Sequence, residues 1–161
     1  MSPSNPTPTR RVVLLALVAG GSVQAQSGQR RAAVDTLQAL LQVQPGEGRN
    51  WFNYAFILDE LGELQRAEAA FRRATELSPQ LDRAWYGLGL ALIRLQRLDE
   101  AIAALKRNTQ LQPMSPYGWY QLARVQFDRQ EREETRRIIR HLKGFEPKVA
   151  AQLERETGLA A

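Results

Sequence analysis

Cysteine is absent from the 161 residues, and histidine occurs once, as His141. The first absence excludes disulfides, thiolate metal sites, cysteine nucleophiles and a lipid-modified cysteine. The second leaves His141 with no Cys or second His to share a metal. Glycine and proline, at 11 and 8, are too few for a collagen-like or disordered chain, and aromatics make up only 7%. A long hydrophobic run is missing too. The apolar stretch Val12–Ala19 is far short of the ~20 residues that a membrane span needs. Nor does one sign of charge dominate. The formal charge is +5, but Arg10 and Arg11 account for two of the 22 basic residues, and the remaining 20 face 17 acids. That balance gives no reason to expect a nucleic-acid partner.

The constellations of a catalyst are missing as well. No Ser-His-acid arrangement is visible. Asp59–Glu60, Asp99–Glu100 and Glu133–Glu134 are adjacent acids. On a helix such neighbours diverge by about 100°, so they cannot share one scissile bond as paired carboxylates do. Gly46-Glu47-Gly48 lacks the Lys-Ser/Thr of a phosphate loop and reads as a turn. "RQEREETRRIIRHLK" is rich in arginine, but Glu133 stands at i+3 and i+4 from Arg136 and Arg137, the spacing of helical ion pairs. Ile138, Ile139 and Leu142 then face a core. The expectation is a protein that is not an enzyme, needs no cofactor and holds no metal.

The N-terminus has the form of an address. "MSPSNPTPTRR" is polar and basic, "VVLLALVAGG" is a short apolar core, and Val23 and Ala25 have the small-residue spacing that signal peptidase accepts. A leader over residues 1–25, cleaved near Ala25, predicts a periplasmic or secreted bacterial protein with no membrane span in the mature chain. An uncleaved leader would instead make an anchored inner-membrane subunit. Val13 and Leu15 depart from the residues favoured after a twin-arginine signal.

What the chain does have is a period. Trp51, Trp85 and Trp119 lie 34 apart, and so do Pro45, Pro79, Pro113 and Pro147, half of all the prolines. Ala67 and Ala101 repeat at 34, as do Phe71 and Leu105. Within a unit, Trp51, Tyr54, Ala55 and Leu58 mark one helical face, and after Gly62 a second face follows through Leu64, Ala67, Phe71, Ala74 and Leu77. Trp85, Leu88, Gly89 and Leu92, then Leu98, Ala101, Leu105 and Leu111, write the same pair again. Proline cannot continue a preceding helix, so each is expected to end a unit.

These residues resemble the tetratricopeptide repeat family. Trp85, Leu88, Gly89, Leu92, Ala101, Leu105 and Pro113 follow its signature, as do Trp51, Tyr54, Ala55, Leu58, Ala67, Phe71, Ala74 and Pro79. Asn108 and Thr135 depart from it, each standing where a small apolar residue is usual. The resemblance implies an all-α solenoid. Residues 26–47 would be a half-repeat helix, 48–147 three units (48–81, 82–115 and 116–147), and 148–161 a capping helix and tail.

The resemblance also implies a concave groove lined by the first helix of each unit, where a protein or peptide partner would bind. Its expected residues are Phe52, Asn53, Phe56 and Asp59, then Tyr86, Leu90 and Arg94, then Tyr120, Gln121 and Arg124. Phe52, Tyr86 and Tyr120 would form an aromatic row. Family members that clamp a terminal carboxylate use lysine, asparagine and arginine where this chain has Phe52, Phe56, Gly87, Tyr117 and Gln121. An apolar helix or extended segment is therefore the expected occupant. Self-association is the alternative, motivated by a half repeat that would leave the apolar face of Trp51's helix partly uncovered.

Overall fold

Helices account for every regular element that the computed structural model describes, over residues 23–161, with side chains from residue 26 onward. In chain order they are α1 (Val23–Val43), α2 (Gly48–Glu60), α3 (Leu64–Leu77), α4 (Asp82–Arg94), α5 (Leu98–Leu111), α6 (Pro116–Asp128), α7 (Arg132–Lys143) and α8 (Pro147–Thr157). The expected leader lies outside the described residues except for 23–25, which form the first turn of α1. Helices α2/α3, α4/α5 and α6/α7 are antiparallel pairs, with α1 packed before the first and α8 after the last.

The 34-residue period has a bond behind it. The indole N–H of Trp51 donates to the Pro45 carbonyl at 2.8 Å, Trp85 to Pro79 at 2.9 Å, and Trp119 to Pro113 at 2.9 Å. None of the helices α2–α8 has a side-chain N-cap. This clasp pins each first helix to the end of the unit before it. Pro147 differs from the other three. Helix α7 stops at Gly144, and Pro147 stands at the first position of α8, where its missing N–H costs nothing.

Each hairpin turns by one device. Glu63, Arg97 and Glu131 donate their backbone N–H to Leu58, Leu92 and Gln126, five residues back, at 2.9 Å in each case. Such a six-to-one closure needs a left-handed residue just before the donor. Gly62 supplies it with φ +77°, whereas Gln96 and Gln130 adopt φ +60° and +65°. A residue with a Cβ costs about 1 kcal/mol in that region. Gln96→Gly and Gln130→Gly are each expected to raise stability by up to about that amount, read by chemical denaturation.

The core runs along the stack as two clusters that meet at Ile93. Ala55, Leu58, Ala67, Ala91, Leu92, Ala101 and Leu105 are fully or almost fully buried, and Ile139, Leu142 and Leu153 continue the series to α8. Helix α1 buries Ala33, Val34, Leu37 and Leu41, and it leaves Tyr54, Ile57 and Leu58 of α2 at most 8% exposed. The face of Trp51's helix is thus covered, which removes the reason offered for self-association. Polar side chains are exposed on both end helices, with Arg31, Asp35 and Gln38 on α1, and Lys148 and Arg155 on α8.

The two departures from the repeat signature are both accommodated. Thr135 is fully buried, and its hydroxyl donates to the Glu131 carbonyl at 2.9 Å, within its own helix. Asn108 is 5% exposed and donates its amide to the Asp82 carbonyl at 2.9 Å, tying α5 to the start of α4. A Cβ on Gly118 would lie 2.1 Å from the Asn108 Oδ1. One unit earlier, the same two positions hold Ala74 and Ala84. A large–small pair has replaced a medium–medium pair. Gly118→Ala is expected to cost about 1–3 kcal/mol through overpacking. Adding Asn108→Ala should recover part of that loss, and a double-mutant cycle measures the coupling.

Candidate binding surface on the first helices

Curvature follows from which helices approach. Helix α2 contacts α4, α4 contacts α6, and α6 contacts α8, whereas the backbones of α1, α3, α5 and α7 keep apart from one another. The first helices therefore line the inner, concave side and the second helices the outer side. Three cross-helix contacts place the expected residues at the inner seams. Arg94 pairs with Asp59 at 2.7 Å. The Gln121 amide reaches the Tyr86 hydroxyl. The Tyr120 hydroxyl donates to the Glu156 carboxylate at 2.9–3.0 Å, and the Gln152 amide reaches the same hydroxyl at 3.3 Å.

The expected aromatic row is present along the chain but not as a stack. Phe52 packs on Phe56 at 6.4 Å and on Phe71 at 6.0 Å between ring centres. Tyr120 carries the Arg124 guanidinium at 5.8 Å over its ring. Phe52, Tyr86 and Tyr120 are half-buried against the core. They position the surface as much as they form it. Leu90 and Gln121 are half-buried too, while Asn53, Arg94 and Arg124 are exposed. Phe56 is 50% exposed and Tyr117 70%, both large for such side chains.

Burial and charge tune these groups in opposite directions. Burial pushes the Asp59 carboxyl above the ordinary carboxylate range, outweighing the attraction of Arg94. Burial also raises the Tyr86 phenol, against the effect of the Gln121 hydrogen bond. Glu156 is held below its usual range, first by the Gln152 amide and then by the Tyr120 hydroxyl. Lys143, and after it the Ala161 backbone N–H, do the same for Glu154. For both groups the folded state favours the ionised form, so their contribution is present at neutral pH and is lost as pH falls through the carboxylate range. Amide protection factors in α8 should fall on acidification before those in α4 do, and Tyr120→Phe should reduce the difference.

Two contributors were not among the expected site residues, Gln152 and Glu156 of α8. A spacing signal existed. Arg94 follows Asp59 by 35 residues, Gln121 follows Tyr86 by 35 and Glu156 follows Tyr120 by 36, one more or two more than the repeat. The acidic pairs are ion-paired rather than simply solvated. Glu60 meets Arg30 at 2.7 Å, Asp99 meets Arg129, and Glu100 meets Arg97 at 2.7 Å and Arg72 at 2.9 Å. Glu133 pairs with Arg136, and Arg137 takes Glu134 at 3.3 Å. The His141 ring lies tilted against Trp119 at 4.4 Å and edge-on to Phe145 at 5.3 Å between ring centres. Among the described residues, no three His, Cys, Asp or Glu side chains converge as metal ligands, and no helix is long and apolar enough to cross a membrane.

Stacked antiparallel helix pairs with an inner row of first helices define an α-solenoid built to present one continuous surface. The sequence profile of the tetratricopeptide repeat family matches residues 18–82, 58–113 and 86–134, and the chain belongs to that family. A crystal structure of MamA is similar at 17% identity and TM-score 0.73, covering 88% of each chain. A MamA fragment from Desulfovibrio magneticus RS-1 is similar at 17% identity and TM-score 0.73, over 92% of this chain and 90% of that one. YrrB, described as a TPR protein with an unusual peptide-binding site, is similar at 18% identity and TM-score 0.70, over 82% of this chain and 72% of its own. No curated protein matches. At these identities the likeness concerns the fold.

Proposed function

We propose that this chain is an exported, non-enzymatic adaptor that holds an apolar segment of another protein against its first helices, in the assembly of an envelope or secretion complex. One observation carries the reading. Phe56 is half exposed beside Phe52 on α2, while the polar groups at the seams, Asp59, Tyr86 and Tyr120, are already engaged with neighbouring helices. What the surface leaves free for a partner is the Phe56 ring with the Asn53 amide beside it, and Arg124 as a charge at its far end. Aromatic and arginine side chains are the groups on which protein interfaces concentrate their energy. The peptide-binding description of YrrB, a protein of similar fold, supports a peptide or protein as occupant. Export rests on the leader pattern of residues 1–25.

Two experiments test the two halves of the reading. Fractionation of cells making the full chain should find a shortened product in the periplasm, and deletion of residues 1–25 should retain it in the cytoplasm. Equal distribution of both forms would refute export. Immobilised protein lacking residues 1–25 should capture an envelope protein that Phe56→Asp does not. Tyr86→Ala with Tyr120→Ala is a less clean comparison, because Tyr120 also anchors α8.

A further inference from the structure

On the outer side, a cleft of about 330 Å³ opens between α5 and α7. Trp119, Leu122 and Ile138 line it, with Lys106 from α5 on one wall and Glu134, Arg137 and His141 from α7 on the other. The His141 ring lies against the Trp119 indole, so the aromatic lining is braced.

The preceding gap, between α3 and α5, is bridged at the same place. Arg72 stands 34 residues before Lys106, and Glu100 stands 34 before Glu134. Arg72 reaches across to Glu100 at 2.9 Å and bridges the two helices. In the later gap this bridge is not made. Arg137, which replaces Ala103 of the earlier unit, takes Glu134 within its own helix at 3.3 Å. The Lys106 ammonium has no carboxylate partner among the described residues. The result is an open apolar cleft with one uncommitted cation at its edge.

We propose that this cleft binds a small apolar monocarboxylate, with its aromatic or branched body against the half-buried Trp119, over a floor of the nearly buried Leu122 and Ile138, and its carboxylate on Lys106. The volume lies at the lower end of small-molecule sites, which span roughly 300–1,000 Å³. An apolar lining with a few placed polar groups is their usual composition. Charge selects one negative charge rather than two, because Glu134 and Arg137 offset each other and Lys106 alone is uncommitted. This site is separate from the inner surface, and its occupation does not depend on the partner held there.

Calorimetric titration of the protein with 1-naphthylacetate tests it. Saturable binding is expected. The neutral analogue 1-naphthylacetamide should bind about tenfold more weakly or worse, the loss of one charge-assisted contact. Lys106→Gln should weaken the acid by a similar factor and leave the amide unchanged. Added salt should weaken the acid alone, and Phe56→Asp should change neither. Absence of saturable binding, equal affinity for acid and amide, or wild-type affinity in Lys106→Gln would each overturn the proposal.

Discussion

Leu105→Ala is expected to lower stability by about 2–5 kcal/mol, the range for deleting a fully buried leucine side chain, and to broaden the unfolding transition. Leu105 is wholly buried where α4 crosses α5. The backbones come so close there that a Cβ on Gly89 would sit 2.7 Å from the Leu105 Cγ. Leu105 belongs to the core shared by α6, α7 and α8, while Ile93 of α4 packs against both that core and the earlier one. In a stack of repeats, stability is a sum of unit terms and nearest-neighbour interfaces. A cavity at this junction weakens the coupling between the two halves as well as the unit itself. Urea unfolding followed by circular dichroism should show a lower midpoint and a smaller m-value, since each half then unfolds with less surface exposed. Gly89→Ala should destabilise the wild type by overpacking but partly restore Leu105→Ala by filling its cavity. A midpoint and slope equal to wild type would show that the junction does not couple the halves.

Phe56→Asp is expected to weaken partner binding by about 2 kcal/mol or more, roughly thirtyfold, the size of an interface hot spot. The ring is half exposed and touches Phe52, so the folded state loses little, within about 0.5 kcal/mol, as is usual for surface changes. A carboxylate placed there must be desolvated when an apolar segment docks, which adds to the loss of contact. Tyr120→Ala should behave differently. It removes the hydroxyl that accepts from Gln152 and donates to Glu156, and so should reduce melting temperature together with binding. The comparison separates a residue that meets the partner from one that holds the surface in shape. Calorimetry on the captured partner, with melting curves of each variant, measures both.

The period was legible because every helix pair must bury the same face in the same way. Trp51, Ala67, Phe71 and Pro79 are fixed by stacking, and stacking repeats. What the repeat hid was compensation between positions. Asn108 reads as a flaw in one unit until Gly118, ten residues on, is seen to make room for it. Gln96 and Gln130 read as ordinary surface residues, although they hold the left-handed place that Gly62 marks openly. At the inner surface, the choice of first-helix residues to propose was legible only through the family resemblance, from their offset to each tryptophan. Their partners were not, since Glu156 and Gln152 come from a helix whose sequence signals only a charged cap. The pairing of Arg137 with Glu134, which frees Lys106, depended on a choice between two i+3 and i+4 partners that spacing leaves open.

Site-specific photocrosslinking tests the central claim most directly. A benzophenone side chain is placed at position 56 or 90 on the first helices, or at Ala103, which is exposed on the outer helix α5. After irradiation in the cell envelope, positions 56 and 90 should give the same discrete adduct, and position 103 should not. An adduct that forms at position 103 and is absent at 56 and 90 would contradict the account and move the binding surface to the second helices.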